Sequence, residues 1–355
     1  MRTVLIFLLF FLLVSVGIRQ GLEMVGFQPY IGLISEKLDH LERNHDQVDI
    51  VFLGASDYGA AIDPVELDAA MAASGCQERS FNFGIDGLNA VEFRWLMEQL
   101  QAKFANKLPR LIIGIPSHNY QLSEGRSTRT QFFLNFSNLY YYLYDIWNLP
   151  RQKMARARML MDLALKYGRE AGQGGELYEW LFDGQRGSSD NSARIARIDA
   201  RRGYLADATV NTPQELQQLA ERVGQIVQEV DTQYRSDYYD RLYGEGTQRR
   251  MTPLIDTARR LGFDVGVLFG PSLSHYLASA TVQRHLRGAY PEIPVWHYND
   301  PKQWPELFDA ANLANATHLN ASGAKAFSQR LAPDLCAWVR GRRVPVTSGV
   351  ELSSS

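Results

Sequence analysis

The chain has 355 residues, of which 45% are apolar, 21% charged and 11% aromatic, ample material for a sizeable core. Its 37 basic and 39 acidic side chains leave a net charge of −2, with no electrostatic footprint for nucleic acid. Two cysteines, Cys76 and Cys336, have no metal-ligand spacing and exclude a disulfide-rich scaffold; collagenous, coiled-coil, disordered and zinc-finger classes are excluded as well.

Val4 to Ile18 is an uncharged run of 15 residues fenced by Arg2 and Arg19. A basic start ahead of a short apolar stretch is the pattern of an export signal, and Ser15-Val16-Gly17 supplies small residues for cleavage. As a helix the run would rise only about 22 Å, short for a bilayer span, yet it would serve as an uncleaved anchor if Met24 to Ile34 adds interfacial contact. Both readings, signal peptide and membrane anchor, put the body of the protein outside the cytoplasm. An oxidising compartment would let Cys76 and Cys336 pair, although nothing in their spacing requires it. Asn135, Asn315 and Asn320 open Asn-x-Ser/Thr sites, relevant only where the source glycosylates.

Ile31, Ile34, Leu38 and Leu41 recur at helical spacing and predict an amphipathic leading helix. Asp49 to Leu53 reads as a buried strand ending at Gly54, and Asp63-Pro64-Val65-Glu66 as a capped helix start. A second strand covers Ser80 to Phe83, closing on Gly84, and a helix follows from about Ala90 to Ala105. Further strands are expected at Arg110–Ile115, Asp264–Phe269 and Pro294–Trp296, with a last helix from about Ala324 to Val339. Short apolar strands alternating with helices predict a parallel sheet covered on both faces. The fold class is therefore α/β, a flavodoxin-like three-layer α/β/α arrangement with a central parallel sheet.

Between Tyr120 and Gly262 the strand rhythm stops. Phe132 to Trp147 is crowded with aromatics, a platform for sugar rings, a membrane-facing surface or simply packing onto the sheet. Gly172 to Asp190 is loop-like, and Thr212 starts a helix striped by Leu216, Leu219, Val223, Ile226 and Val230. The expected organisation is a signal or anchor over 1–20, a leading helix over 21–48, an α/β domain over 49–340 and a tail over 341–355. A helical insertion at about 121–261 falls between strands three and four.

In open parallel sheets ligands bind outside the carboxyl ends of the strands. Gly54-Ala55-Ser56-Asp57, Asn82-Phe83-Gly84 and Pro116-Ser117-His118 fall at such ends, and Asn315-Ala316-Thr317-His318 precedes the last helix. A serine after strand one and a histidine before the last helix can meet at one rim, as a nucleophile and its base require. Each residue also has a plainer reading: a helix cap for Ser56, Asn315 or Asn320, a tight turn for Gly84, a surface position for His318.

Leu53-Gly54-Ala55-Ser56 with Ile62-Asp63-Pro64 resembles the first block of the SGNH (GDSL-like) hydrolase superfamily. The similarity is to its exported branch of cell-envelope acylation, which includes the DltD-like and alginate O-acetylation proteins. Asn82-Phe83-Gly84-Ile85 resembles the block that supplies an oxyanion-hole glycine, and His318 to Ala324 the block carrying the histidine. The resemblance covers 49–120 and 262–340. It implies Ser56 as nucleophile, His318 as general base, and the backbone N–H groups of Ser56 and Gly84 as oxyanion donors.

Two departures stand out. The family's aspartate three residues before the histidine is Asn315 here, and an asparagine cannot stabilise imidazolium by charge. Asp309 and Asp300 are candidate replacements, while Asp57 is expected to point away from His318. The Gly-x-Asn-Asp block after strand three is missing, leaving Asn119, or Asn89 after the Gly84 turn, as the nearest candidates for its asparagine. Asp57, His118 and His275 are expected to line the pocket, with no metal-ligand pattern and no cofactor motif.

The resemblance implies a periplasmic or outer-face acyltransferase or esterase that adds or removes O-acyl groups, acetyl above all, on an envelope or extracellular polysaccharide. It also implies a membrane-bound O-acyltransferase as partner. The alternative is a catalytically impaired member of the fold that binds polysaccharide or scaffolds a modification or secretion complex, with Asn315 as the reason.

Overall fold

The computed structural model describes Phe10, Val14 and Gly17, then residues 30–104, 106–116, 128–133, 136–147, 153–171, 190–207, 209–233, 245–273 and 276–341. Most of the apolar run Val4 to Ile18 thus lies outside the described residues. Among the described residues no helix is long and apolar enough to cross a membrane.

The chain enters through α1 (Leu33–Asn44), whose Ile34, Leu38 and Leu41 are buried at the expected helical spacing. Then follow β1 (Ile50–Gly54), a short α2 (Ser56–Ala61), α3 (Pro64–Ala73), β2 (Ser80–Gly84), α4 (Ala90–Lys103) and β3 (Arg110–Ile113). The insertion comprises α5 (Thr128–Phe133), α6 (Phe136–Trp147), α7 (Lys153–Ala171), α8 (Asp190–Arg201), α9 (Pro213–Gln233) and α10 (Glu245–Arg260). The sheet resumes with β4 (Val265–Phe269), α11 (Tyr276–Ala289) and β5 (Val295–His297), and the described fold closes on α12 (Ala321–Val339).

The five strands are all parallel in the order β2-β1-β3-β4-β5. That is the flavodoxin-like order, whose connections leave in opposite directions at the β1/β3 boundary and open a crevice there. The strands are short and apolar because both faces are covered. Val51 and Leu53 of β1 enter a core with α1, α4, α10 and α11, while Ile50 and Phe52 enter one with α3 and α12. α3 starts as the sequence suggests: Asp63 Oδ1 accepts the Val65 N–H at 3.1 Å and Pro64 occupies the first turn.

The insertion is not a separate body. Phe132 and Phe133 of α5 meet Trp95 of α4 edge-on, and Ile226 of α9 is buried in the core beneath α3 and α12. α8 is tied to α1 by a pair between Arg194 and Glu36, and by Asp199 against His40 at 2.7 Å and Arg43 at 3.0 Å.

Cys76 and Cys336 form a disulfide with their Cα atoms 5.7 Å apart. It joins the end of α3 to α12, the helices that follow the Ser56 turn and the His318 loop. Replacing both cysteines by serine, or reducing the bond, should lower the unfolding free energy by about 2–4 kcal/mol. Urea unfolding with and without reductant reads this directly, and coincident midpoints would refute the stabilising role.

Candidate active site

The site lies where β1 gives way to α2, at the crevice the strand order opens. Ser56 is the first residue of α2, and among the described residues its N–H has no hydrogen-bond partner, as expected at the first turn of a helix. Two close packings hold this turn against the sheet. The buried Tyr58 ring lies over Gly54 and Gly114, where a Cβ at either position would collide with it, and its hydroxyl donates to the Leu268 carbonyl. Burial, together with the Asp57 charge, pushes that hydroxyl well above its usual pKa, so it remains a donor. Gly59 and Gly84 meet backbone to backbone, and a Cβ on Gly84 would strike the Gly59 amide.

His318 reaches Ser56 from the loop before α12. The Ser56 hydroxyl donates to His318 Nε2 at 2.9 Å. On the other side of the ring, His318 Nδ1 lies 3.2 Å from Asp207 Oδ2. Ser56, His318 and Asp207 therefore form a continuous serine–imidazole–carboxylate chain. The His318 and Asp207 side chains keep 23% and 19% of their surface exposed, so the chain is open to a substrate.

Asp207 is the residue that reading the sequence misses. It lies in the insertion, 111 positions before His318, just beyond α8. Neither expected replacement serves: Asp309 caps the turn at Ala310–Asn312, and Asp300 accepts from the Lys302 and Gln303 amides at 2.9 and 3.2 Å. The signal that would have located it is faint. Arg202 and Gly203 end α8 with φ of 48° and 87°, which turns the chain along the edge of β2.

That edge docking places Asp207. The Asn82 N–H donates to the Arg202 carbonyl at 3.0 Å, and Gly203 lies so close to the Asn82 carbonyl that no side chain would fit. Arg201 pairs with Asp63 and Arg202 with Asp68, while Arg202 also donates to the Pro64 carbonyl at 3.1 Å. Beyond Asp207, Asn211 donates to the Leu313 carbonyl at 2.7 Å, fastening the segment to the His318 loop.

Asn315 has a defined task of its own. Its Oδ1 accepts from the Thr317 N–H, the Thr317 hydroxyl and the His318 N–H at 2.9, 2.8 and 3.0 Å, which fixes the amide's orientation. Nδ2 then lies 3.2 Å from Asp207 Oδ2 and 3.1 Å from His318 Nδ1. A carboxylate can only accept, so the network is satisfied when both nitrogens donate to Asp207. That leaves a lone pair on Nε2 for the serine proton, the tautomer a general base needs.

Burial raises the Asp207 carboxyl, but hydrogen bonds from Thr209 and the proximity of His318 bring it below its usual value, so it stays ionised. The Thr209 N–H and hydroxyl reach its Oδ1 at 3.0 and 2.6 Å.

The expected oxyanion donors fare differently. The Gly84 N–H already donates to Asn82 Oδ1 at 2.7 Å, so the reading of Gly84 as a free donor is corrected; the glycine permits the approach of α2 instead. Asn89 is the N-cap of α4, its Oδ1 accepting from Val91 and Glu92 at 3.0 and 3.2 Å, so its side-chain oxygen is committed to the helix start. Asp57 is half-buried beside Ser56 in the first turn of α2. Asn119, His118 and His275 lie outside the described residues. Among the described residues no group of three or more His, Cys, Asp or Glu side chains is arranged to hold a metal.

Beneath the rim, the fully buried Lys37 of α1 donates to the Asn82 and Gly84 carbonyls at 3.0 and 2.7 Å. Desolvation lowers its pKa to about 7, against a smaller upward pull from Asp86. A neutral amine has two N–H groups, matching the two carbonyls.

Compared with known proteins, the chain matches no family model and no curated sequence.

The Lys37 shift carries a sign. Between pH 7 and the ordinary lysine value the unfolded chain holds a proton that the folded chain lacks, so stability should rise with pH there and level off below about 7. The contribution is at most about 1.4 kcal/mol per pH unit. Urea unfolding between pH 6 and 9.5 should show this slope in the wild type and its loss in Lys37→Met; identical slopes would mean that Lys37 is charged in the fold.

Proposed function

We propose that the chain is an exported SGNH-like serine acyltransferase or esterase that adds or removes O-acyl groups, acetyl above all, on an envelope or extracellular polysaccharide. The observation that carries this reading is the Ser56–His318–Asp207 chain at the carboxyl rim of the sheet. The substrate class and the compartment rest on the resemblance around Ser56 and His318 and on the apolar N-terminal run. The same resemblance suggests a membrane-bound O-acyltransferase as partner.

In this reading Ser56 Oγ attacks the acyl carbonyl while its proton passes to His318 Nε2. Asp207 stabilises the imidazolium, and the Ser56 N–H faces the tetrahedral oxygen. His318 returns the proton to the departing alkoxide, leaving an acyl ester on Ser56. A sugar hydroxyl or a water, deprotonated by His318, then takes the acyl group and restores the serine. Asn315 stands where the family has its acid, and in this chain it supports an acid supplied by the insertion.

One observation favours the second reading, a catalytically impaired binding or scaffolding subunit. With the Gly84 N–H committed to Asn82, the oxyanion loses a donor of the kind typically worth about 3 kcal/mol.

Covalent labelling separates the two. A serine-directed phosphonate or an activated acetyl ester should give a single adduct on Ser56, mapped by mass spectrometry and absent in His318→Ala. A folded protein that takes no adduct would favour the binding role.

The acid can be tested independently by the rate of activated-ester turnover. Asp207→Asn should slow it by about 10³–10⁴-fold, as loss of the carboxylate partner does in a serine triad. Asn315→Asp should lower the rate as well, because two carboxylates would crowd one imidazole and one of them would take up a proton. A rate increase in Asn315→Asp would show that Asp207 is not the working acid.

A further inference from the structure

α6 is apolar on both of its faces. Tyr142 and Ile146 are buried against Val91 of α4 and Leu163 of α7. The opposite stripe, Tyr140, Leu143, Tyr144 and Trp147, recurs at i, i+3, i+4 and i+7 and is exposed, Tyr140 by 67% and Trp147 by 66%. α7 repeats the pattern: Met154, Met161 and Leu165 are 82%, 62% and 64% exposed on one stripe. A helix that is hydrophobic all round is ordinarily covered, and contiguous exposed apolar surface marks an interaction site.

Three observations indicate what covers this hairpin. The exposed aromatics are tyrosine and tryptophan, whose apolar rings and polar tips suit a membrane–water interface. Cations lie beside them. Lys153 and Arg158 are exposed and without an ion-pair partner among the described residues, and Arg156 donates to the Trp147 carbonyl at 3.0 Å. Of the carboxylates on these stretches, Asp145 is buried against Arg250 at 2.6 Å, which leaves Asp162 as the exposed one over Lys153–Leu165. Finally, 11 residues separate Ile18, the end of the apolar run, from Tyr30, where the folded body begins. Fully extended they reach about 40 Å, so a bilayer holding that run lies no farther than that from Tyr30.

We propose that the α6–α7 hairpin docks on an anionic lipid surface, with Tyr140, Tyr144 and Trp147 at headgroup depth and Lys153, Arg156 and Arg158 against lipid phosphates. A 15-residue apolar run is short for a span, and stable attachment ordinarily takes two signals; the hairpin supplies the second. Val91, on which the hairpin packs, opens α4 directly after the loop that leaves the carboxyl end of β2. The hairpin thus packs on the end of α4 that adjoins the carboxyl rim of the sheet. The inference does not depend on catalysis, and neither does its test.

The full chain is placed in phosphatidylglycerol/phosphatidylethanolamine vesicles carrying brominated phosphatidylcholine, and tryptophan emission is followed alongside Trp147→Phe. The wild type should show lipid-dependent quenching that Trp147→Phe loses. Lys153→Glu with Arg158→Glu should lose it too, with Trp147 still present. Equal quenching in wild type and Trp147→Phe would overturn the proposal. So would Trp147 emission that responds to an oligosaccharide but not to brominated lipid, which would make the stripe a carbohydrate platform. Trp147 already shielded from acrylamide without vesicles would also overturn it, because another protein surface or a second copy would then cover the stripe.

Discussion

Asn82 uses every polar group it has, and the candidate site depends on that. Fully buried in β2, it donates through Nδ2 to the Tyr58 and Ile62 carbonyls at 2.8 and 2.6 Å and so holds α2 against the sheet edge. Its Oδ1 takes the Gly84 N–H, its own N–H goes to Arg202, and its carbonyl accepts from Lys37. One residue thereby joins the serine-bearing helix, the insertion that carries Asp207 and the leading helix. In a dry interior each of these bonds is costly to leave unmade, so replacing Asn82 would disturb three elements together.

The serine and the histidine are held by different means. Ser56 is fixed by close approach, with Tyr58 over Gly54 and Gly114 and Gly59 against Gly84, contacts that leave α2 little freedom to slide. His318 sits on a loop braced by the Asn315 turn and by Leu273, whose N–H donates to the Ala316 carbonyl at 2.9 Å. Ser328 of α12 ties in the sequence between them, its hydroxyl accepting the Asp63 N–H at 3.0 Å just after α2. With the disulfide between the end of α3 and α12, the two halves of the site are coupled without passing through the insertion.

How much of this is legible in the sequence follows from the range of the interactions. The strands are legible because a sheet covered on both faces needs short apolar runs, and Ile50–Gly54 and Val265–Phe269 are such runs. Ser56 and His318 are legible as rim residues because strand ends and the start of the last helix are local features. Asp207 is not, because its position depends on a segment docking along the edge of β2 through contacts more than a hundred residues apart in sequence. Gly84 illustrates the complementary error. A glycine at a strand end suggests a backbone donor facing a ligand, whereas its lack of a side chain serves the approach of Gly59 and its N–H is already taken.

The origin of Asp207 in the insertion changes what the insertion is for. Were the acid at position 315, beside the histidine, the Ser56 rim would be complete once the sheet and α12 had formed. With asparagine there, the imidazole obtains its carboxylate only when Arg201–Asp207 lies along β2. The pairs Arg201–Asp63 and Arg202–Asp68 join partly exposed arginines to more deeply buried carboxylates, and desolvation offsets much of their attraction. Their clearest effect is on register: a shift of the segment along the strand would break both pairs and move Asp207 away from His318. The insertion is therefore a part of the candidate site: the helical interruption between β3 and β4 supplies the carboxylate that lies against His318.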